Sequence, residues 1–196
     1  MFVTGTLCEV HISIRGCSTG YFRDQEALAP ELLRASAAYY GDAMISIRAA
    51  IDTDYSALLE IWRRSVEATH EFLTPADVDA IEQDVATYLP QMSDLRVAEE
   101  GGQLIGFIAI ENDTVEMLFV DALAQGRGIG SALLASVVTG RESIRVDVNE
   151  QNPSGRNFYA AKGFTEIGRS ETDGEGRAFP LLHLHLAPAQ AYQPQS

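Results

Sequence analysis

The stretch Gln125-Gly126-Arg127-Gly128-Ile129-Gly130-Ser131 lies between an apolar run and a helical pattern, and it gives the strongest indication of the fold. Its glycines recur at alternate positions, and because glycine has no Cβ atom, backbone N–H groups there can turn towards a ligand. The apolar residues Leu133, Leu134 and Val137 follow on the helical face of Ile129. The positive end of that helix faces the glycines, which is typical of a pyrophosphate cradle. A plain tight turn at the start of a helix would contain the same glycines, so the glycines alone leave both interpretations open.

Two other nucleotide-binding motifs fit this stretch less well. A phosphate-binding P-loop has Gly-Lys-Ser or Gly-Lys-Thr after its glycines, whereas the single lysine of the chain is Lys162. A dinucleotide-binding Rossmann turn has two residues between its second and third glycines and needs an acidic residue about 20 positions later. The Gly-x-Gly-x-Gly spacing therefore disfavours both motifs.

The chain on either side of the glycines alternates between strand and helix periodicities. Strands are predicted at 44–48, 95–98, 103–110, 114–121, 144–148, 164–170 and 179–186, and helices at 53–66, 75–89, 129–139 and 154–162. Thr74-Pro75-Ala76-Asp77 has the pattern of a capping box with proline at the first helical position. The turns Gly101-Gly102 and Asn112-Asp113 separate three successive strands, which predicts an antiparallel meander.

Composition limits the classes of function. With 196 residues, 46% of them hydrophobic, the chain has room for one domain with a proper core. No apolar run approaches the roughly 20 residues of a membrane span, and no secretory signal is visible. The net charge of -14, without a Lys/Arg cluster, disfavours nucleic acids and anionic membranes as partners but tolerates a cationic amine. We expect a cytoplasmic protein.

Residues 1–43 differ from the rest because they show no sustained period, apart from a plausible short helix over 25–38. We interpret them as a poorly ordered extension, with Met44 as a possible true start and residues 44–196 as the functional domain. Cys8, His11 and Cys17 fit no usual zinc spacing, and no second half of such a site follows. No metal site is expected.

Four segments in order resemble the GNAT family of N-acetyltransferases. They are Leu118-Phe119-Val120-Asp121, then Gln125-x-x-Gly128-x-Gly130, then Val148-Asn149-Glu150-Gln151-Asn152, and finally Asn157-Phe158-Tyr159-x-x-x-Gly163-Phe164. The resemblance runs from Met44 to about Leu186. The segment Ala68-Thr69-His70-Glu71-Phe72-Leu73 looks like the YjaB-like branch of the bacterial members, whose proposed acceptor is a lysine side chain.

The resemblance implies an α/β (α+β) fold with a mixed, mostly antiparallel seven-stranded sheet, helices on both faces and two central parallel strands that splay apart. It also implies acetyl-CoA as the cosubstrate, held in the gap between those strands. The backbone of Leu118, Phe119 and Val120 would pair with the pantetheine arm, one N–H acting as an oxyanion donor. The pyrophosphate would lie at Gly126, Arg127, Gly128, Ile129, Gly130 and Ser131, with Gln125, Asn152 and Phe158 as further contacts.

Tyr159 is the candidate for returning a proton to the CoA thiolate, because a phenol near the sulfur could act as a general acid. It could instead pack the short helix onto the sheet, as Phe158 does. Glu116, His70 and Glu150 are candidates for the base that takes the proton of the amine. Each has an alternative interpretation as an ordinary structural or surface residue.

Three further interpretations remain open. His183 and His185 alternate on the last strand and could bind a metal, although an edge or interface strand with one polar face explains them more simply. The acidic run 171–175 fits a solvated hairpin turn, and it could also attract a cationic acceptor.

The predicted function is acetyl transfer from acetyl-CoA to a primary amine, either a protein lysine or a small amine. The alternative is a non-catalytic module that binds acyl-CoA. A homodimer is possible in either case.

Overall fold

The computed structural model describes residues 4–7, 10–13, 38–40 and 43–187, with side chains from residue 45 onward. The strands are β1 (Thr4–Leu7), β2 (Val10–Ser13), β3 (Ala38–Tyr40), β4 (Ala43–Ala49), β5 (Asp94–Glu100), β6 (Gln103–Glu111), β7 (Thr114–Val120), β8 (Ile144–Asn149), β9 (Thr165–Ser170) and β10 (Leu181–Leu186). The α-helices are α1 (Tyr55–Thr69), α2 (Pro75–Tyr88), α3 (Ile129–Val138) and α4 (Pro153–Ala161). From β4 onward, this confirms the predicted order of elements.

The sheet runs in the order β3-β4-β5-β6-β7-β8-β10-β9. Its neighbours are antiparallel except for β7 and β8, which are parallel. From β4 to β10 it has the seven strands that were predicted. The fold class is therefore confirmed as a mixed, mostly antiparallel sheet with one central parallel pair.

Two apolar cores lie on opposite faces of this sheet. One contains the apolar face of α3 together with Tyr159 and Phe164, which lie in and just after α4. The other contains the apolar faces of α1 and α2, with Trp62 edge-on to Phe119 of β7 at a centroid separation of 6.3 Å. Helices thus cover both faces of the sheet, and the parallel strands β7 and β8 lie between the two helical layers.

The two helices before the meander begin in different ways. The capping box of α2 is confirmed: Thr74 Oγ1 accepts from Asp77 N–H at 3.2 Å, and Asp77 accepts from Thr74 N–H at 2.9 Å. The Thr74 hydroxyl also donates to the Asp77 carboxylate at 2.6 Å, and this bond, together with that from the Thr74 N–H, holds the pKa of Asp77 below its ordinary value. The helix predicted at 53–66 begins instead at Tyr55, because a 3-10 turn, Asp52–Asp54, precedes it and the buried Asp54 pairs with Arg48.

β7 contains an extra residue next to its turn with β6. Ala109 of β6 faces Met117, whereas the next residue, Ile110, faces Val115. Glu116 is therefore left between two register pairs, which is the geometry of a β-bulge. A bulge bends its strand and increases the local twist, so β7 changes direction at Glu116.

The parallel strands part at this bulge. β7 and β8 pair at Thr114–Arg145 and at Val115–Val146, and among the described residues their pairing goes no further. Both strands nevertheless continue, β7 to Val120 and β8 to Asn149. Since β6 pairs with one edge of β7 along its whole length, the other edge faces the gap.

Three short strands precede the domain predicted to begin at residue 44. β1 and β2 form an antiparallel pair, and β3 pairs with β4. β2 also pairs with β7 at Val10–Met117, on the edge of β7 that faces the gap. Of the helix predicted at 25–38, residues 25–37 lie outside the described residues, and Ala38 begins β3. The division of the chain at residue 43 stays a prediction.

The last hairpin differs from the prediction in two respects. β10 begins at Leu181, after Pro180, and lies between β8 and β9, so the interpretation of the strand with His183 and His185 as an edge strand is wrong. The acidic turn is also not wholly solvated. Asp173 is buried, and its carboxylate accepts from the N–H groups of Glu175 and Arg177.

Gly106 of β6 leaves no room for a side chain. A Cβ atom there would lie 2.9 Å from the carbonyl oxygen of Phe119 and 3.2 Å from a methyl group of Leu133. Gly106→Ala is expected to lower the free energy of unfolding by ~1–3 kcal/mol, because neither the strand backbone nor the helix above it can move freely. Urea denaturation checks this. Gly130→Ala is the control, since its Cβ atom meets Phe158 at an ordinary 3.4 Å and should cost nothing.

Candidate active site

A cleft of about 410 Å³ opens where β7 and β8 part. The ends of β7 and α1, the start of α3 and the start of α4 surround it. Its lining residues are Ser65, Thr69, Leu118, Val120, Ala124, Gln125, Gly126, Gly128, Ile129, Gly130, Ser131, Asn152, Ser154 and Phe158. Most of the residues predicted to contact the cosubstrate therefore share one cleft.

The glycine loop forms one wall of the cleft. Gly126 and Gly128 have φ angles of +74° and +81°, in the left-handed region that other residues rarely adopt. Gly128 is the N-cap of α3, so the first N–H groups of that helix point out of the same loop. An anion in the cleft would meet these N–H groups and the positive end of the helix.

Arg64 of α1 and Asp121 fix the loop that leads to these glycines. Asp121, which is 9% exposed, accepts from Leu123 N–H and so caps a 3-10 turn, Ala122–Ala124. The Arg64 guanidinium forms an ion pair with the Asp121 carboxylate at 2.7 Å. No local sequence pattern predicts this link, because it joins residues 57 positions apart.

Two of the predicted residues lie away from the cleft. The Phe119 side chain is fully buried in the core of α1 and α2, so only its backbone is available at the gap. Arg127 pairs with Glu100 of β5 through two hydrogen bonds, and this pairing raises the pKa of Arg127 and lowers that of Glu100. Leu118 and Val120, in contrast, line the cleft.

The start of α4 contributes Asn152 and Phe158. Asn152 is the N-cap of α4 and its side-chain oxygen accepts from Gly155 N–H at 3.0 Å, so this predicted contact residue also has a structural role. Tyr159 does not line the cleft. Its ring is fully buried and stands edge-on to Phe158 and Phe164, with centroid separations of 5.1 Å in both cases.

The candidate bases occupy different environments. Glu116, in the bulge, is 1% exposed, and His70, just after α1, is 3% exposed. The His70 Nδ1 atom lies 2.6 Å from Oγ1 of Thr69, a residue of the cleft. Glu150 forms an ion pair with Arg169 at 2.7 Å, and this bond lowers the pKa of Glu150, which makes it a weaker base.

The segments after α1 and between β9 and β10 meet beside the cleft. Phe72 packs against His70 and Phe179, with centroid separations of 5.5 Å and 5.8 Å. Arg177 forms an ion pair with Asp84 of α2 at 2.8 Å. Burial raises the pKa of Asp173, which organises the same loop. These contacts hold the loop against the helices on this face.

Comparison with known proteins decides the family. The family model "Acetyltransferase (GNAT) domain" matches residues 57–181, which include β7, the glycine loop and α4. The chain belongs to the GNAT family of acetyltransferases. The splayed parallel strands and the glycine loop at the start of α3 are thus those of a GNAT domain.

Among similar GNAT proteins is the peptidyl-lysine N-acetyltransferase YjaB of Salmonella typhimurium, 36% identical over 141 residues that cover 72% of this chain and 97% of the relative. The peptidyl-lysine N-acetyltransferase YiaC of Escherichia coli is 34% identical over 122 residues, covering 60% and 82%. The solution structure of apo YjaB from Escherichia coli superposes with a TM-score of 0.68 at 36% identity, covering 74% of this chain and 99% of that one. The predicted resemblance to the YjaB-like branch is confirmed.

Two absences complete the description of this GNAT domain. Among the described residues, no group of three or more His, Cys, Asp or Glu side chains could hold a metal ion. No helix in the described part of the chain has both the length and the apolar character needed to cross a membrane.

Proposed function

We propose that this GNAT acetyltransferase transfers the acetyl group of acetyl-CoA to the side-chain amine of lysine in proteins. The observation that carries the proposal is the gap between β7 and β8, which leads from the glycine loop on one side to α1 on the other. The names of the YjaB and YiaC relatives support a lysine acceptor. The net charge of -14 favours a cationic acceptor over an anionic one.

The donor would lie along the cleft in two parts. The pyrophosphate fits the loop of Gly126 to Ser131, where N–H groups and the helix end favour negative charge. The pantetheine arm fits the edge of β7 at Leu118 and Val120, where an extended chain can add to the strand. A backbone N–H of that edge would then donate to the thioester carbonyl oxygen as charge develops on it.

Acetyl transfer needs two proton movements in this site. The acceptor must lose a proton before its nitrogen attacks the thioester carbon, and the departing thiolate must gain one. Tyr159 is our choice for the second step, since it follows Phe158 of the cleft wall on α4. Glu116 and His70 stay as candidates for the first step, but both are almost fully buried, so a proton on either has no direct path to solvent.

Two measurements on the full chain test this proposal. Calorimetric titration with acetyl-CoA should show saturable one-to-one binding. With acetyl-CoA present, blocked lysine peptides should be acetylated at Nζ, as read by mass spectrometry. Binding with turnover of small amines only would move the acceptor class away from proteins. Binding without turnover of any amine would favour an acyl-CoA-binding module, and a folded chain that does not bind would remove the proposal.

Removing residues 1–43 is expected to tighten acetyl-CoA binding about tenfold. β2 pairs with β7 at Met117, on the edge that the pantetheine arm would use, so the hairpin and the donor exclude one another. A tenfold change corresponds to a hairpin that covers the edge about 90% of the time. Titration of the full and shortened chains side by side measures the ratio. Equal affinities would show that the hairpin does not compete.

The cytoplasm as the location and a homodimer as the assembly stay predictions. Size-exclusion chromatography with light scattering checks the second of these.

A further inference from the structure

Ser170, His183 and Asp147 form a continuous hydrogen-bonded chain across three neighbouring strands. Ser170 Oγ, at the end of β9, lies 2.7 Å from Nε2 of His183 on β10. Nδ1 of the same imidazole lies 2.7 Å from a carboxylate oxygen of Asp147 on β8. A hydroxyl, a base and a carboxylate thus follow one another in the order that activates a hydroxyl for proton transfer.

The Asp147 carboxylate sets the tautomer of His183. An ionised carboxylate only accepts hydrogen bonds, so Nδ1 carries the ring proton. Nε2 then has a lone pair that accepts the proton of the Ser170 hydroxyl. Asp147 also stabilises the imidazolium that would form if His183 took up a second proton.

The backbone of β9 is shaped to admit this imidazole. Gly168 faces His183 across the strand pair, and a Cβ atom at Gly168 would lie 3.2 Å from Cδ2 of the ring. Only glycine, which has no side chain, lets the His183 ring lie at an ordinary van der Waals distance from β9. The His183 side chain is 33% exposed, against 13% for Asp147, so the imidazole can pass a proton to solvent.

Ser170, His183 and Asp147 lie on the face of the sheet where an acyl group would emerge. Val146 and Val148 belong to the core beneath α3 and α4, so alternation places Asp147 on the face of α1 and α2. Asp147 directly follows Val146, the last β8 residue paired with β7. The cleft reaches Ser65 and Thr69 of α1, which shows that it passes through the sheet to this same face.

The strand spacing places Ser170 on the approach to the gap rather than at the gap itself. Neighbouring strands lie ~4.8 Å apart. Asp147 on β8 and Ser170 on β9 are two strands apart, so Ser170 lies about 10 Å further than Asp147 from the gap between β7 and β8. An amine that approaches the thioester from this face would therefore pass over β8, β10 and β9. His183 combines a carboxylate partner with access to solvent, whereas Glu116 and His70 are almost fully buried.

We propose that Ser170, His183 and Asp147 form the proton-accepting site for a primary alkylammonium acceptor. The inference rests on the proposed acetyl transfer. The ammonium gives a proton to Ser170 Oγ while the hydroxyl proton moves to His183 Nε2, and the imidazolium later releases it to water. The neutral nitrogen then forms the new C–N bond as the C–S bond breaks. The thiolate takes its proton from Tyr159, which regains one from the second N–H of that nitrogen, so one proton is released per acetyl group.

The test compares two acceptors in the full chain. One is a blocked peptide with a single lysine, and the other is the same peptide with aminoethylcysteine, whose amine has a lower pKa and is less protonated at neutral pH. His183→Asn and Ser170→Ala are each expected to lower kcat/KM for the lysine peptide on the order of tenfold, less than the loss of a general base at the reacting atoms, because this site takes the proton before the attack. The loss should be much smaller for aminoethylcysteine, and KM for acetyl-CoA should not change.

Two further variants make the result specific. His185→Asn removes the imidazole two residues along the same strand face and should leave both acceptors unaffected. The double variant of Ser170 and His183 should be no slower than either single one, because the residues act as one unit. If His183→Asn fails to fold, Ser170→Ala carries the same comparison.

The outcomes separate this inference from the proposed function. Equal losses for both acceptors, or none for either, with the unaltered chain active, would overturn the inference alone. An unaltered chain that binds acetyl-CoA and acetylates no amine would overturn both.

Discussion

Tyr159→Phe is expected to lower kcat for acetyl transfer by ~100-fold or more, while the affinity for acetyl-CoA stays within about twofold. A positioned general acid usually contributes 10²- to 10⁴-fold, and the substitution removes only the hydroxyl that would protonate the thiolate. The ring keeps its edge-on packing against Phe158 and Phe164, so the fold and the cleft wall should be preserved. Single-turnover acetylation of a lysine peptide and calorimetric titration measure the two quantities.

Tyr88→Phe is the matched control. It also removes a phenol from a largely buried tyrosine, but one in the core of α1 and α2, where burial raises the pKa of the hydroxyl. It should leave kcat unchanged. Full activity of Tyr159→Phe would exclude Tyr159 as the acid and leave it as a packing residue of α4.

Gly128→Glu is expected to weaken acetyl-CoA binding by at least ~100-fold, or about 3 kcal/mol. The substitution places a carboxylate at the N-cap of α3, where the pyrophosphate would lie, and juxtaposed like charges cost several kcal/mol. It also forces a side chain into a backbone with φ of +81°, which costs ~1–2 kcal/mol of stability. Titration by calorimetry, with the melting temperature recorded in parallel, separates the two effects.

Gly140→Glu is the control, because it introduces the same charge and a similar backbone strain at the other end of α3. Gly140 has φ of +85° just beyond the other end of α3, with open space around its missing side chain. The same substitution there should cost similar stability and leave the affinity unchanged. If both variants bind acetyl-CoA like the unaltered chain, the glycine loop does not hold the pyrophosphate.

The order of helices and strands could be predicted from local patterns because each element carries its own periodicity. The capping box at Thr74 and Asp77 and the helix start at Gly128 depend on residues within one turn, so the sequence suffices to place them. The start of α1 lies later than predicted because Asp54, which pairs with Arg48 of β4 and accepts from the Ile51 N–H, ends a 3-10 turn before the helix. Contacts between elements have no local signal.

The predicted cosubstrate residues came from spaced motifs, and most of them line one cleft. The acceptor side could not be predicted in the same way. The bulge at Glu116 arises from the register between two strands, and Asp173 is buried because its loop folds onto α2 through Arg177. A polar residue in a turn sequence is expected to be exposed to solvent, and only the packing of the neighbouring helix shows that it is buried.

The class of fold, the glycine loop and the family could be predicted from the sequence, because these depend on residue types at short, fixed spacings. Which distant groups lie close together depends on the tertiary structure. His183 illustrates the difference: on the sequence it is one of two alternating histidines, and its carboxylate partner lies 36 residues away. Strand order and register bring Asp147, His183 and Ser170 together, and these are set by the packing of the whole sheet.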